Sequence, residues 1–524
     1  MRSTRSRKSA RALLGAVAAA TAAVATAVVP AAASTSGPVA QPALAQPPIV
    51  PTYASNAAPA VLPAPGSWRG GVGRLTVSAA SRIVVGGAHP GDLPTARTLA
   101  TELHSARAWR ASVVTSNIAL HPGDVVLQRD SRRTDLGAEG YTLSVGRQVV
   151  ITAATPAGEF YGTQTMLQML AHGASLPVGS IVDVPRYRER AIAVSATLAY
   201  PMSWLENLVK DMAYVKLNRL HLEMKVQSRT DSSINFLPYF TRTQMAQMVA
   251  LAAQYHVLVV PEMNGPGHMS PFVSTHPELQ LINPRGVHDT SRLDITKPAA
   301  APFYSSLIKD NASLFNSSSW DLGADEYLAD SSYPNYPQML AYARARYGSR
   351  ATAQTAFVDF VNRIDGVARS YGRYLRVWND GFTGHSSVAL KRDVIVEYWC
   401  WTAVSPQAFL NAGYTVVNAS ADLYYIRGGR HPNIPALYAS GWTPQRFIAP
   451  YTTTASGRLA GAEMSIWNDN YRAEGLRQTE INLYMPLRFM AQATWGTARP
   501  STYSAFLAEA QALGRAPGWQ QTAS

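Results

Sequence analysis

The stretch AIAVSATLAYPMSWLENLVKDMAYVKLNRLHLEMK, residues 191–225, predicts a strand, a helix and a second strand in succession. The apolar runs at 191–195 and 219–225 are typical of strands that are buried on both faces. Ser203 and Glu206 have the spacing of a capping box, which predicts that the helix begins at Ser203. One face of that helix is apolar, with Trp204, Leu205, Leu208, Val209, Met212 and Val215. This order predicts a βαβ unit with parallel strands.

The same alternation continues towards the C-terminus. Further candidate strands lie at 257–263, 320–324, 374–378, 394–400, 414–419 and 461–467. Eight strands that alternate with helices predict an α/β fold, a (β/α)8 TIM barrel over residues 184–515. Enzymes with this fold place their chemistry at the C-terminal ends of the strands, so reactive side chains are expected there.

The chain before the barrel divides into three parts. Residues 63–183 contain short strand patterns and two helical patterns without a cluster of ionisable groups, which predicts a small supporting α+β domain. Residues 34–62 are rich in Pro, Ala and Ser and are predicted to form a linker. Basic residues followed by an Ala/Val/Leu run and Ala31–Ala33 predict a signal peptide over 1–33, with a retained membrane anchor as the alternative.

Composition limits the possible partners and locations. The chain is 47% apolar and 15% charged, which indicates a globular protein, and its formal net charge is +13. No basic stripe is interleaved with aromatic residues, so we expect no nucleic-acid partner. Signal cleavage predicts a secreted, extracellular protein that is free of the membrane. The single cysteine, Cys400, lies in an apolar run and is predicted to be a buried thiol without a nucleophilic or metal-binding role.

The most informative motif is WDLGADE, residues 320–326, an apolar strand that ends in two adjacent carboxylates. Consecutive side chains of a strand point to opposite faces. Asp325 and Glu326 can therefore share a pocket only if the backbone turns there. A solvated loop start is the alternative, because Asp-Glu pairs are common.

Aromatic residues favour the catalytic interpretation. Trp378, Trp399, Trp401 and Trp467 lie at or just beyond the ends of later strands, and Tyr424 and Tyr425 follow another. Their convergence on one end of a barrel predicts an apolar-walled pocket for a sugar ring or an acetyl group. The segment PEMNGPGH, residues 261–268, also ends a strand and directs His268 to the same end. It has no dense set of metal ligands, so we expect no metal and no cofactor.

Several motifs together resemble glycoside hydrolase family 20, the β-N-acetylhexosaminidase and lacto-N-biosidase family. Gly-Ala-Asp-Glu at 323–326 is similar to the family's Gly-x-Asp-Glu, and 261–268 is similar to its Pro-Glu-x-(Asp/Asn)-x-Pro-Gly-His. The segments at 293–296, 212–218 and 158–165 resemble further family segments in the same order. The resemblance implies a retaining glycosidase acting on β-linked N-acetylhexosamine in an oligosaccharide or glycan, with the substrate's acetamido group as the nucleophile.

The resemblance also implies roles for individual residues. Asp325 would orient the acetamido group, and Glu326 would be the general acid and base, with a protonated resting state favoured by burial and a neighbouring carboxylate. Glu262 and Gln227 belong to matching segments and are candidate binding residues. The others are the enclosing Trp378, Trp399 and Trp467, an acetamido-binding Tyr425 or Tyr424, the hydroxyl-binding Asp469 and the supporting His268.

Two departures from the family pattern concern the outer sugar hydroxyls. Leu198 stands where the family has an arginine, and 223–227 differ from the family's His-Leu-Thr-Asp-Asp-Gln. Leucine cannot make a charge-assisted hydrogen bond. Release of a disaccharide, as by a lacto-N-biosidase, and a degenerate barrel that only binds amino sugars are therefore the alternatives to removal of a single terminal sugar.

Overall fold

The computed structural model describes residues 54–86, 90–115, 118–196, 200–236 and 239–522. The predicted signal peptide, most of the predicted linker and Leu198 lie outside these ranges. Within them, no helix combines the length and the apolar character that crossing a bilayer requires.

The first part of the described chain is a seven-stranded mixed sheet with two helices. Its strand order is β1-β7-β5-β6-β4-β2-β3, and α2 packs on β5 and β6 through a face that is buried almost throughout. The elements are β1 (Ser67–Thr76), β2 (Ile83–Val85), α1 (Leu93–Arg107), β3 (Val113–Thr115), β4 (Val125–Arg129), β5 (Tyr141–Val145), β6 (Val149–Ala153), α2 (Pro156–Ala171) and β7 (Ser175–Asp183).

The second part is a closed barrel of eight parallel strands. Each of β8 to β10 and β13 to β16 pairs with the next, and β18 closes the ring by pairing with β16 and β8. The strands are β8 (Glu189–Ser195), β9 (Arg219–Glu223), β10 (Leu258–Gly265), β13 (Ser319–Gly323), β14 (Tyr374–Trp378), β15 (Ile395–Tyr398), β16 (Thr415–Asn418) and β18 (Leu459–Trp467). The predicted fold class, a TIM barrel preceded by a small α+β domain, is confirmed.

Helices surround the barrel, and short strands lie outside it. A hairpin is formed by β11 (Gln280–Ile282) and β12 (His288–Leu293), and β17 (Tyr425–Ile426) pairs with β18. The helices are α3 (Met202–Tyr214), α4 (Arg242–Gln254), α5 (Ser270–Val273), α6 (Ala300–Asn311), α7 (Pro337–Tyr347), α8 (Ala353–Ser370), α9 (Pro406–Asn411), α10 (Ile434–Ala439), α11 (Leu476–Trp495) and α12 (Tyr503–Leu513).

Two local predictions need correction. The helix α3 begins at Met202 with Pro201 as its N-cap, so Ser203 lies inside the first turn and the predicted capping box does not form. The last residues of the predicted linker belong to the folded small domain. Val61 and Leu62 are fully buried, and the Gln168 side chain binds both the N–H and the carbonyl of Leu62 at 2.7 Å. Burial of two aliphatic side chains attaches this segment to the small domain.

A buried carboxylate joins the small sheet to the barrel. Asp183, at the end of β7, accepts hydrogen bonds from Tyr141 (2.6 Å), from the barrel residue Lys216 (3.1 Å) and from Trp495 of α11 (2.7 Å). Lys216 and Asp183 are both fully buried. A buried charge requires such a partner, so this cluster fixes the two parts of the fold against each other.

Candidate active site

The end of β13 turns sharply and brings the two predicted carboxylates together. Gly323, Ala324 and Glu326 all have left-handed backbone angles, with φ of 74°, 69° and 49°. These angles interrupt the alternation of a strand, and Asp325 and Glu326 therefore line the same cavity. A Cβ on Gly323 would lie 2.2 Å from Oδ1 of Asn264, so only glycine fits there.

This cavity, here called the tryptophan cavity, lies at the C-terminal end of the barrel and has a volume of about 510 Å³. That volume is within the range of small-molecule sites. Side chains from several strand ends line it: Asp325, Glu326, His268, Asn264, Trp378, Trp399, Trp467, Tyr424, Ser195, Glu223 and Asp469.

Four aromatic rings form one apolar wall. Trp378 and Trp467 are 6.0 Å apart between ring centroids, and Tyr424 lies 5.6 Å from Trp467 in an edge-to-face contact. Trp399 stacks on Tyr424 at 6.0 Å. Trp378 is fixed from below, because its Nε1 donates to the buried Glu262 at 3.2 Å. The arrangement encloses a space suited to a methyl group or the apolar face of a sugar.

Asp325 is held by one amide and one imidazole. Asn264 Nδ2 donates to its carboxylate at 2.8 Å, and His268 Nε2 lies 3.5 Å from it. Burial raises the pKa of Asp325, while His268 and Asn264 act in the opposite direction. The Asn264 bond also fixes the direction in which the carboxylate faces.

Glu326 makes a closer contact with His268 than Asp325 does. His268 Nε2 lies 3.2 Å from the carboxylate, and this hydrogen bond lowers the pKa of Glu326 and raises the pKa of His268 to about 9. The expectation of a protonated resting Glu326 is therefore not met, because the imidazole stabilises the ionised form more than burial opposes it. The two groups hold one proton between them, which resides on the histidine.

Asp380 is a site residue that the sequence analysis missed. It follows β14 by two residues, and its carboxylate accepts bonds from the Glu326 backbone N–H (2.7 Å) and from Trp399 Nε1 (3.0 Å). Burial, together with the charge of Asp325, raises the pKa of Asp380 to about 6. Its position at a strand end was the signal that could have identified it.

Three predicted binding residues lie elsewhere. Tyr425 donates a hydrogen bond to Glu474 and stacks on His431, and it does not line the tryptophan cavity. Of the two adjacent tyrosines, Tyr424 is therefore the one that faces the cavity. Gln227 is half-buried and also lies outside the cavity lining, because its backbone pairs with the segment before α4. Glu262 is buried beneath the floor, where burial and neighbouring carboxylates raise its pKa well above the usual range.

The end of the cavity formed by β8, β9 and β18 is polar and acidic. Ser195, Glu223 and Asp469 line it, and burial raises the pKa of Glu223 although Ser195 hydrogen-bonds to its carboxylate. Among the described residues that line this cavity there is no arginine or lysine. Ser195, Glu223 and Asp469 therefore offer hydrogen-bonding groups at this end of the cavity.

Two clusters each bring three potential metal ligands within 4.8 Å. One is His268, Asp325 and Glu326, and the other, inside the barrel, is His221, Asp321 and Glu397. In the inner cluster, Arg376 donates to Glu397 at 2.5 Å and burial lowers the pKa of His221 to about 3. A guanidinium already neutralises that carboxylate, so the inner cluster is a buried ion network beneath the active site.

A second cavity adjoins the first and shares Glu326 and Trp399 with it. This outer cavity has a volume of about 700 Å³. It is lined by Arg292, Tyr336, Asp330, Asp380, Thr383, His385, Cys400 and Trp401, among others. Cys400 is half-buried rather than fully buried, and burial raises the pKa of its thiol to about 12, so the nucleophilic thiolate is absent at neutral pH.

Comparison with known proteins agrees with the fold. The family profile "Glycosyl hydrolase family 20, catalytic domain" matches residues 224–495, and the profile for domain 2 of the same family matches residues 58–184. The chain belongs to glycosyl hydrolase family 20, which confirms the resemblance and makes it a glycosidase by class.

Relatives of known name have two specificities. A lacto-N-biosidase of Bifidobacterium bifidum is 33% identical over 466 residues, which are 87% of this chain and 42% of that protein. The present chain thus spans less than half the length of this relative. A β-hexosaminidase subunit of Dictyostelium discoideum is 26% identical over 373 residues, 66% of this chain and 67% of that one.

Solved structures show the same fold at lower identity. The family 20 β-N-acetylhexosaminidase of Streptomyces coelicolor has a TM-score of 0.70 at 20% identity, covering 88% of this chain and 96% of that one. An exo-β-N-acetylglucosaminidase of Vibrio harveyi has a TM-score of 0.71 at 17% identity, covering 90% of this chain and 79% of that one.

Proposed function

We propose that this protein hydrolyses β-linked N-acetylhexosaminides with retention of configuration, using the acetamido oxygen of the substrate as the nucleophile. One observation carries the proposal: Asp325 and Glu326 line a single cavity together with the packed rings of Trp378, Trp467 and Tyr424. A pocket with an apolar wall and two carboxylates suits a substrate whose own amide takes part in the reaction.

In the first step, the acetamido oxygen attacks the anomeric carbon, and the bond from that carbon to the leaving oxygen breaks. Asp325 accepts the amide N–H and stabilises the positive charge that develops on the oxazolinium ring. Its bond to Asn264 keeps the carboxylate in one orientation. Because the acetamido group is held against the reacting carbon, the attack is intramolecular and gains a large proximity advantage.

Glu326 transfers the proton that the leaving oxygen requires. In the free protein, this proton resides on His268, 3.2 Å away. Substrate binding excludes water, which disfavours the ion pair relative to a neutral Glu326 and a neutral His268. The resulting carboxylic acid protonates the leaving group. In the second step, Glu326 removes a proton from the water that attacks the anomeric carbon and opens the ring.

Aryl β-N-acetylhexosaminides with leaving groups of different acidity test this mechanism. Glu326→Ala should slow turnover of a phenyl glycoside by about 10²-fold or more, and that of a dinitrophenyl glycoside much less, since the latter needs no proton. Glu278→Gln, at an exposed carboxylate outside both cavities, is the matched control. A thiazoline analogue of the oxazolinium should inhibit the wild type, and indifference to it would exclude acetamido participation.

We further propose that the glycone is a disaccharide whose reducing unit is N-acetylhexosamine. Two observations favour it: Ser195, Glu223 and Asp469 at the far end of the cavity offer partners for a second sugar, and the lacto-N-biosidase has the higher identity of the two relatives described. The test compares aryl β-lacto-N-bioside with aryl β-GlcNAc and β-GalNAc. Faster cleavage of a monosaccharide glycoside would contradict this specificity, and binding without cleavage of any would indicate a degenerate barrel.

We also propose that the protein is exported and that residues 1–33 are removed. The proposal depends on the basic start, the apolar run and the Ala31–Ala33 segment of the sequence. Expression of the full chain in a secreting host, followed by N-terminal sequencing of protein from the medium, tests it. A chain retained in the membrane with Met1 intact would contradict it.

A further inference from the structure

We propose that the outer cavity binds the leaving group as a neutral sugar, with the Trp401 side chain as the surface on which that sugar stacks. The inference rests on the proposed hydrolase function and extends it to the substrate's other half. The outer cavity and the tryptophan cavity meet at Glu326. Since Glu326 must contact the oxygen between glycone and leaving group, a substrate whose acetamido group occupies the tryptophan cavity extends its leaving group into the outer cavity.

Trp401 is the most exposed large apolar side chain in the described part of the chain, at 60% exposure. Its backbone is nevertheless fixed on both sides. Asn379 Nδ2 donates to the carbonyl of Cys400 at 3.0 Å, and the Tyr451 hydroxyl donates to the carbonyl of Thr402 at 2.8 Å. A wide aromatic face held by an ordered loop binds at low entropic cost, and the apolar face of a sugar would remove it from water.

The same cavity supplies partners for sugar hydroxyls. His385 Nδ1 lies 3.0 Å from the Asp330 carboxylate, and Thr383 Oγ1 donates to that carboxylate at 3.2 Å. Gln354 of α8 donates to Thr383 at 2.7 Å, which anchors the loop. Both His385 and Asp330 are largely exposed, so each retains hydrogen-bonding capacity for a ligand.

Charge identifies the class of sugar. Arg292 lines the outer cavity, but its guanidinium is bound to Asp289 at 2.6 Å and to the carbonyl of Glu326 at 3.2 Å. Its charge is therefore already compensated, whereas the Asp380 carboxylate on the same lining is bound by the neutral N–H groups of Glu326 and Trp399. This balance disfavours a sialylated or sulfated leaving group and favours a neutral hexose.

The test compares two substrates that share one glycone. In one, the glycone is β-linked to lactose, and the other is the glycone oxazoline, which has no leaving group. Trp401→Ala should lower kcat/KM for the lactose conjugate by about tenfold and change oxazoline hydrolysis by less than twofold. Trp401→Phe should restore most of the loss. Tyr371→Ala, at an exposed aromatic residue at the opposite end of the barrel, should change neither reaction.

Equal loss on both substrates, or no loss on either, would overturn the role of Trp401. A sialylated conjugate that reacts as fast as the neutral one would overturn the assignment of a neutral sugar. A wild-type protein that hydrolyses the oxazoline but not the lactose conjugate would leave the proposed chemistry intact and contradict the inference alone. Turnover of neither substrate by the wild type would instead overturn the proposed function, and the inference with it.

Discussion

The imidazole of His268 lies 3.2 Å from the carboxylate of Glu326, and the pair shares one proton. Because His268 has a pKa raised to about 9 and the pKa of Glu326 is lowered, that proton stays on the pair from the acidic range up to about pH 9. We expect the alkaline limb of kcat/KM to fall near this value.

In His268→Gln, Glu326 would have to carry the proton alone, so the alkaline limb should move several pH units towards acid. A pH profile of kcat/KM for both forms measures this shift. His276→Gln is the control, because His276 pairs with Asp231 and Glu278 and lines neither cavity. An alkaline limb at the same pH in His268→Gln would show that the proton does not come from this pair.

Gly323→Ala tests the turn that places the two carboxylates. The new Cβ would meet Asn264 at 2.2 Å in a left-handed conformation that costs roughly 1–2 kcal/mol for other residues. Displacing Asn264 also removes a bond to Asp325, so we expect lower thermal stability and a loss of kcat/KM of about tenfold or more.

The control for this variant is Gly366→Ala in the middle of α8. There the new Cβ approaches only Lys391, at 3.6 Å. It should raise stability by roughly 0.5–1 kcal/mol, because alanine is the better helix former. Thermal unfolding of the three proteins measures both effects, and an active, stable Gly323→Ala protein would show that the turn tolerates a side chain.

The two adjacent tyrosines should respond differently to removal of their hydroxyl groups. Tyr424→Phe should lower kcat/KM roughly 10- to 100-fold, the range for a bond to developing charge, with little change in stability. Tyr425→Phe should leave kcat/KM within about threefold but lower the unfolding temperature, because Glu474 loses its buried partner. Kinetics and thermal unfolding on both variants separate these roles. A large loss of kcat/KM in Tyr425→Phe and a small one in Tyr424→Phe would instead indicate that Tyr425 contacts the acetamido group.

Lys216→Met tests the buried ion pair between the two parts of the fold. Removing the ammonium leaves the Asp183 carboxylate buried with neutral donors only, and we expect a loss of about 3–5 kcal/mol in the free energy of unfolding. Denaturant unfolding measures it. Lys309→Met, at an exposed position of α6, should change stability by less than about 0.5 kcal/mol.

Most of the fold could be predicted, because the hydrophobic pattern of the sequence indicates where buried parallel strands lie. All eight predicted barrel strands occur, as does the apolar face of α3, because runs of Val, Ile and Leu between helical patterns are typical of buried parallel strands. The start of α3 was misplaced because Pro201 fixes its own backbone and begins the helix without a side-chain cap. The hydrophobic pattern identifies helices and strands more accurately than the residues at which they begin and end.

The sequence predicts the parts of the site in which reactive side chains stand at strand ends. It does not predict the parts that depend on the direction in which a side chain points. The turn at 323–326 could be inferred, because two neighbouring acids share a cavity only if the strand ends there. The two-residue strand β17 was too short to show which of Tyr424 and Tyr425 faces the cavity. The pKa of Glu326 depends on its distance from His268, and residues 58 positions apart in sequence do not reveal that distance.

The Asp183 cluster also constrains the order in which parts of the chain can fold during synthesis. One of the bonds to its carboxylate comes from Trp495, which is synthesised 312 residues later, so the cluster is complete only after α11 has left the ribosome. Until then the Asp183 carboxylate lacks one of its buried hydrogen-bond donors, although Lys216, only 33 residues further along the chain, can already neutralise its charge. Shortened expression products that stop before α11 would accordingly be poor folding units, however complete their N-terminal sheet.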